Sequence, residues 1–223
     1  MTLETPGVPS IYSDVAATVV LDNARVIVQR LELAPGQSTG RPRYHGEHLQ
    51  VFIRGGVLAD DATGRRSIWR DGRVMWRGGA PDPRDAGVTN AGAQPIEMVW
   101  ITLKPVAPAR RAAGQGAPKY AYLNYPAIAG EDLLENEHVI VQRFVVPPGQ
   151  WEGVHAHHPD MLYVHVRGGQ WGARAHGEPA HPDGDPVPDG DVGWMPVIDL
   201  SVGHEAGNLG PAPIDLIWVT LKN

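Results

Sequence analysis

NARVIVQRLELAPGQSTGRPRYHGEHLQVFIRGGV, residues Asn23–Val57, and NEHVIVQRFVVPPGQWEGVHAHHPDMLYVHVRGGQ, residues Asn136–Gln170, are two versions of one segment. They align without a gap, and sixteen of the thirty-five paired positions are identical. Self-similarity of this kind marks a duplicated structural unit. Two later blocks extend the match. DGRVMWR from Asp71 pairs with DGDVGWM from Asp189, and NAGAQPIEMVWITLK from Asn90 pairs with NLGPAPIDLIWVTLK from Asn208. Between the blocks the second copy is longer, and its extra stretch RAHGEPAHPDGDPVPDG, from Arg174, reads as an exposed loop.

The shared text is strand text. VIVQRFVV, MLYVHVR and IDLIWVTLK alternate or run fully apolar, and Gly and Pro (27 and 21 residues) fall between such runs. Helix has little support; the longest helix-like patch, EDLLENE from Glu131, fits one turn or a loop. The expectation is an all-β chain of two tandem units, 1–112 and 113–223. The stretch KPVAPARRAAGQGAPK, residues Lys104–Lys119, is the linker. Tandem β units would pack together and cover each other's open strand edges.

Composition narrows the function. With 42% hydrophobic residues and no apolar run of roughly 18 residues, the chain has a core but no spanning helix, so a membrane role is not expected. MTLETPGVPSIYSD does not read as a signal peptide, which points to the cytoplasm. Cysteine is absent, which excludes disulfides, thiolate ligands and a cysteine nucleophile. A net charge of −6 argues against nonspecific nucleic-acid binding. No phosphate-binding glycine loop precedes a helix, and Ser201 in SVGHEAG lacks the setting of a nucleophile elbow.

Four of the ten histidines lie in Gly153–Gly169. His155 and His157 are two apart, so on a strand both rings face one way. His204 follows where an antiparallel partner could pass beside them. Three neutral imidazoles suit iron, zinc, copper or nickel and leave positions open for water or substrate. The alternative is a set of hydrogen-bonded core histidines. His158, His176 and His181 sit among Pro and Gly and read as solvated, as does His45, which aligns with His158; His138 merely precedes a strand.

The unit resembles a cupin domain, and the chain a bicupin, over most of its length outside the N-terminus and linker. PPGQWEGVHAHHPDMLYVHVRGG, Pro147–Gly169, follows the first cupin motif, and GDVGWMPVIDLSVGHEAGN, Gly190–Asn208, follows the second with a longer Pro-to-His distance. The resemblance implies a jelly-roll barrel in each unit. It also implies that His155, His157 and His204 are ligands of a divalent metal ion, iron first, with zinc, nickel or manganese as alternatives. The family's fourth ligand, usually Glu, falls on Met161, a poor ligand for hard cations, so a three-histidine site is expected. Asp160 would ligate only if Pro159 kinks the strand. The first copy has Pro42, Tyr44, His48 and Ala86 at these four positions and is expected to be metal-free.

Strand parity puts Tyr163 and His165 on the interior face with Met161, as candidate catalytic side chains or as packing. Their counterparts are Gln50 and Phe52. Trp151 and Trp171 replace Ser38 and Leu58, and line either a mouth or an interface. Trp194 and Trp218 recur as Trp76 and Trp100 and read as scaffold. The implied activity is that of a mononuclear-metal enzyme on a small-molecule substrate, dioxygenase-like. Non-redox isomerase, cyclase or lyase chemistry and a nonenzymatic ligand-binding cupin are the alternatives. Monomer and homodimer are both allowed.

Overall fold

A computed structural model describes residues 10–105, 122–157, 160–175, 178–179, 184–198 and 203–222. His158, Pro159, His176, His181, Ser201 and linker residues 106–119 lie outside the described residues. The chain divides into two compact units, Met1–Pro105 and Val106–Asn223.

In the first unit the strands are β1 (Ala17–Asp22), β2 (Val26–Leu33), β3 (His48–Arg54), β4 (Gly56–Asp60), β5 (Arg66–Trp69), β6 (Val74–Arg77), β7 (Val88–Asn90) and β8 (Ile96–Leu103). In the second they are β9 (Glu131–Glu135), β10 (Val139–Val146), β11 (Met161–Arg167), β12 (Gly169–Ala175), β13 (Asp185–Val187), β14 (Val192–Met195), β15 (His204–Asn208) and β16 (Ile214–Leu221). The described residues contain no helix, and thus none long and apolar enough to cross a membrane. Each unit is a five-stranded antiparallel sheet facing a three-stranded one. The orders are β1-β2-β8-β3-β6 with β5-β4-β7, then β9-β10-β16-β11-β14 with β13-β12-β15, the same order twice. The expected all-β, doubled jelly roll is what the chain forms.

Two details differ from expectation. EDLLENE is an edge strand, β9, because its residues pair with β10 (Ile140↔Glu135, Arg143↔Glu131) and the sheet overrides local helix preference. The long loop of the second unit contains a strand, β13, paired with β12 through Gln170↔Pro186.

The apolar runs become the sheet centres. β8 and β16 are flanked on both sides in their sheets, and β16 is buried along nearly all its length, so its sequence shows little alternation. Between the sheets of the first unit lie Leu31, Leu33, Phe52, Ile96, Met98 and Trp100. Between those of the second lie Phe144, Val146, Met161, Ile214, Leu216 and Trp218.

The repeated residues make repeated bonds. Asn90 Nδ2 donates to Leu33 O (2.8 Å) and Gln94 O (2.9 Å), and its Oδ1 accepts from Gly92 N. Asn208 does the same with Val146 O (2.9 Å), Ala212 O (2.7 Å) and Gly210 N. The Gly-Gly pair at each β3–β4-type junction is dictated by space. A Cβ on Gly56 or on Gly169 would lie 2.7 Å from Cγ1 of Ile96 or Ile214, inside van der Waals contact.

Candidate metal centre

The His-x-His segment is held by two short antiparallel bridges. His155 N donates to His204 O (3.1 Å), and His157 and Ile198 exchange both backbone bonds (3.0 and 3.1 Å). Successive side chains alternate across such a segment, so the rings of His155 and His157 share a face. His204, first residue of β15, meets them from the paired chain. One nitrogen from each ring lies within 4.8 Å of the other two, and this is the one such group among the described residues. Asp160 is not part of it. Its backbone is left-handed (φ 59°), an uncommon conformation for a residue other than glycine.

The ring chemistry suits a cation. His155 Nδ1 is 2.8 Å from Gly153 O, to which it donates, so Nε2 carries the lone pair. That Nε2 faces His157 Nε2 at 3.0 Å. His155 and His157 are buried and His204 half-buried. Burial lowers the pKa of His155 and His204, which keeps them in the neutral form that binds metals. Donors 2.0–2.2 Å from a common ion sit about 3–4 Å apart, close to this spacing.

Two of the three, His157 and His204, border a cavity of about 220 Å³ inside the second barrel. Its apolar wall is Trp171, Ala173, Val187, Met195, Ala206, Leu216 and Trp218; its polar groups are Tyr125, Glu152, His157, Tyr163, His165 and His204. Among the described residues no Lys or Arg lines it. A larger, open depression of about 510 Å³ over Tyr122–Gly130 carries no converging ligand set.

Tyr163 and His165 both line this cavity, as strand parity suggests. Tyr163 has room because its cross-strand partner is Gly193; a Cβ there would lie 2.3 Å from the tyrosine hydroxyl. In the first unit the same register pairs Gln50 with Met75. His165 is 4% exposed and neither ring nitrogen has a hydrogen-bond partner. Its Nδ1 is 3.8 Å from Asp191 Oδ2, but burial outweighs that carboxylate and lowers its pKa to about 4. Burial, with Asp191, raises the Tyr163 pKa, so its hydroxyl keeps its proton.

The tryptophans divide differently from expectation. Trp171 lines the cavity, while Trp151 stacks under the Arg174 guanidinium at 3.9 Å. Trp218, read as scaffold because it repeats, is also cavity wall: its ring lies 5.0 Å from that of His157, and its Nε1 donates to Tyr125 Oη at 2.6 Å. Glu152 and Tyr125 stand out only in three dimensions. The available sequence signal was the exchange of Thr39 for Glu152 between copies, a charge gained at a matched position.

In the first unit the matching volume shrinks to about 40 Å³. Tyr44 occupies the place of His157, its ring 5.3 Å from Trp100. His48 is buried and fully engaged, Nδ1 with Thr102 Oγ1 (3.0 Å) and Nε2 with His45 O (3.1 Å).

No protein-family model matches the chain, and no curated protein does. Solved structures do. AerE from Microcystis aeruginosa aligns with TM-score 0.62 at 12% identity, covering 96% of each chain. A cupin 2 conserved barrel domain protein from Leptotrichia buccalis aligns with TM-score 0.51 at 11% identity, covering 96% of this chain and 92% of that one. A salicylate 1,2-dioxygenase from Pseudaminobacter salicylatoxidans aligns with TM-score 0.50 at 11% identity, covering 94% and 77%. The chain therefore has the cupin fold, in its two-barrel form. One barrel carries a histidine group able to hold a metal ion.

Proposed function

We propose that the second unit is the catalytic half of a mononuclear-metal enzyme, an iron-dependent dioxygenase acting on a small organic molecule. One conjunction supports this: three imidazoles converge within 4.8 Å beside a largely apolar cavity of about 220 Å³. That volume is about seven times a water's share of the liquid, enough for one small molecule and too little for a polymer. A fold shared with a salicylate 1,2-dioxygenase is compatible with the assignment.

Ferrous iron bound by His155, His157 and His204 would supply open positions and redox chemistry for dioxygen. The chain's own groups bind and orient the substrate. The tryptophan and leucine wall excludes water. Tyr163, protonated, offers a hydroxyl to a substrate oxygen, and His165, neutral, offers ring nitrogens without competing protein partners. Because no Lys or Arg among the described residues lines the cavity, the cation is the group that would offset a substrate's negative charge, which favours a monoanion such as an enolate or a single carboxylate.

Elemental analysis of the purified protein, followed by oxygen uptake over a panel of small enolic and aromatic acids, tests the assignment. Iron with substrate-dependent uptake is the expected result. Stoichiometric zinc, nickel or manganese without uptake would move the site to Lewis-acid isomerase, cyclase or lyase chemistry. Absence of metal, with a Tm indifferent to chelators, would leave a ligand-binding cupin.

A further inference from the structure

The cavity carries a polar side chain at the end away from the histidine triad. On β11, Tyr163 stands opposite Trp218 of β16, and His165 stands opposite Leu216, one two-residue step of about 7 Å further along. The triad lies at the Trp218 end. The His157 ring is 5.0 Å from that of Trp218, and Tyr125, whose hydroxyl accepts from Trp218 Nε1, has its ring 4.6 Å from that of His155. Ring contacts then lead away from the triad, from Trp218 to Tyr163 at 5.6 Å and from Tyr163 to His165 at 5.1 Å. His165, like His157 and His204, lines the cavity, and Trp171, Leu216 and Trp218 wall the space between them.

The first unit shows that the scaffold does not need that polarity. His165 N donates to Asp191 O, and Phe52 N to Arg73 O, each at 2.9 Å, so the backbone arrangement is the same. The side chains change as a pair, Phe52 with Arg73 in one unit and His165 with Asp191 in the other. Phe52 packs against Trp69 at 4.8 Å, and the Arg73 guanidinium covers that tryptophan at 4.3 Å. His165 is buried with neither ring nitrogen hydrogen-bonded, and Asp191 Oδ2 lies 3.8 Å from its Nδ1. A carboxylate on that side favours a proton on Nδ1 and leaves the lone pair on Nε2. A buried acceptor without a partner is costly unless a ligand brings the donor. We propose that His165 is the specificity residue of the cavity, its Nε2 accepting a hydrogen bond from a hydroxyl or N–H at the end of the substrate remote from the metal, with Asp191 as the positioning residue. The substrate class is then a small monoanionic acid or enol that carries a hydrogen-bond donor at its opposite end. This rests on the reading of the triad as a metal site that anchors the substrate.

Zinc-loaded protein, which performs no redox turnover, would be titrated calorimetrically with acids paired by size: 4-hydroxybenzoate against 4-methylbenzoate, and 4-hydroxybutanoate against pentanoate. In wild type the hydroxy acid of a pair should bind about tenfold or more tighter than its methyl partner, because a site built around a hydrogen bond rejects the analogue that lacks it. His165→Phe, which installs the first unit's residue, should erase that preference. Should phenylalanine block the cavity or prevent folding, the smaller His165→Leu carries the same test. Asp191→Asn should shrink the preference and leave affinity for the methyl acids unchanged, a split that a merely structural role would not produce. Equal affinity for both members of each pair in wild type, or an undiminished preference in the His165 variants, overturns the assignment and leaves the metal anchor standing. Affinity and preference both unchanged when zinc is withheld remove the metal anchor and leave His165 in its role. A wild type that binds none of the four acids overturns the substrate class.

Discussion

The two barrels share strand order, strand register and even their bulge, which falls between Phe52 and Arg54 in one and between His165 and Arg167 in the other. Their interiors share Ile96/Ile214 and Trp100/Trp218 but differ at the candidate site. Where the first has Thr39, Pro42, Tyr44, Gln50, Phe52 and Ala86, the second has Glu152, His155, His157, Tyr163, His165 and His204. The first interior closes on a stack of Tyr12, Tyr44, His48 and Trp100, while the second leaves a cavity lined by imidazoles. A duplicated jelly roll thus separates two demands. Backbone bonds, the paired asparagines and the Gly-Gly contacts hold the barrel, and the side chains at its mouth vary without disturbing it.

The comparison can be broken at the metal site first. Replacing both His155 and His157 with alanine should abolish retained metal by elemental analysis. Replacing His45 and His48 should leave the metal content unchanged, although loss of buried His48 lowers stability.

Next in size are the scaffold asparagines. Asn90→Ala and Asn208→Ala each strand two carbonyls and a backbone N–H in a buried site, and each should cost about 3 kcal/mol in urea denaturation. The scaffold reading requires similar costs in both units, with metal content unchanged in Asn90→Ala.

The smallest effect sharpens the contrast between His165 and Phe52. His165 has a native pKa near 4 against about 6.5 in the unfolded chain, so below pH 6.5 the unfolded state binds a proton that the native state refuses. The resulting stability is complete above pH 6.5 and is lost as pH falls toward 4, by about 2 kcal/mol at pH 5. His165→Phe, which installs the first unit's residue, should flatten that acid limb in denaturation measured from pH 7 to 4.

Strand text was legible wherever period or repetition carried it. The matched blocks around Val26 and Val139, and around Ile96 and Ile214, become the paired strands β2–β8 and β10–β16. EDLLENE was not legible, since its strand state comes from pairing with β10. At the site, the spacing of His155 and His157 shows that the rings share a face, because alternation is local. Trp218 shows the converse: a residue repeated for the scaffold, and buried in the core as its repetition suggests, also forms a cavity wall.

By itself the sequence determined the doubled all-β scaffold and the face shared by two histidines, because both follow from short-range periodicity copied twice. Only the tertiary structure decided that His204 arrives beside them, that Glu152 is buried next to Tyr125, and that one barrel has room where the other is filled. Those outcomes depend on which distant chain segments meet, and on the volume left between them.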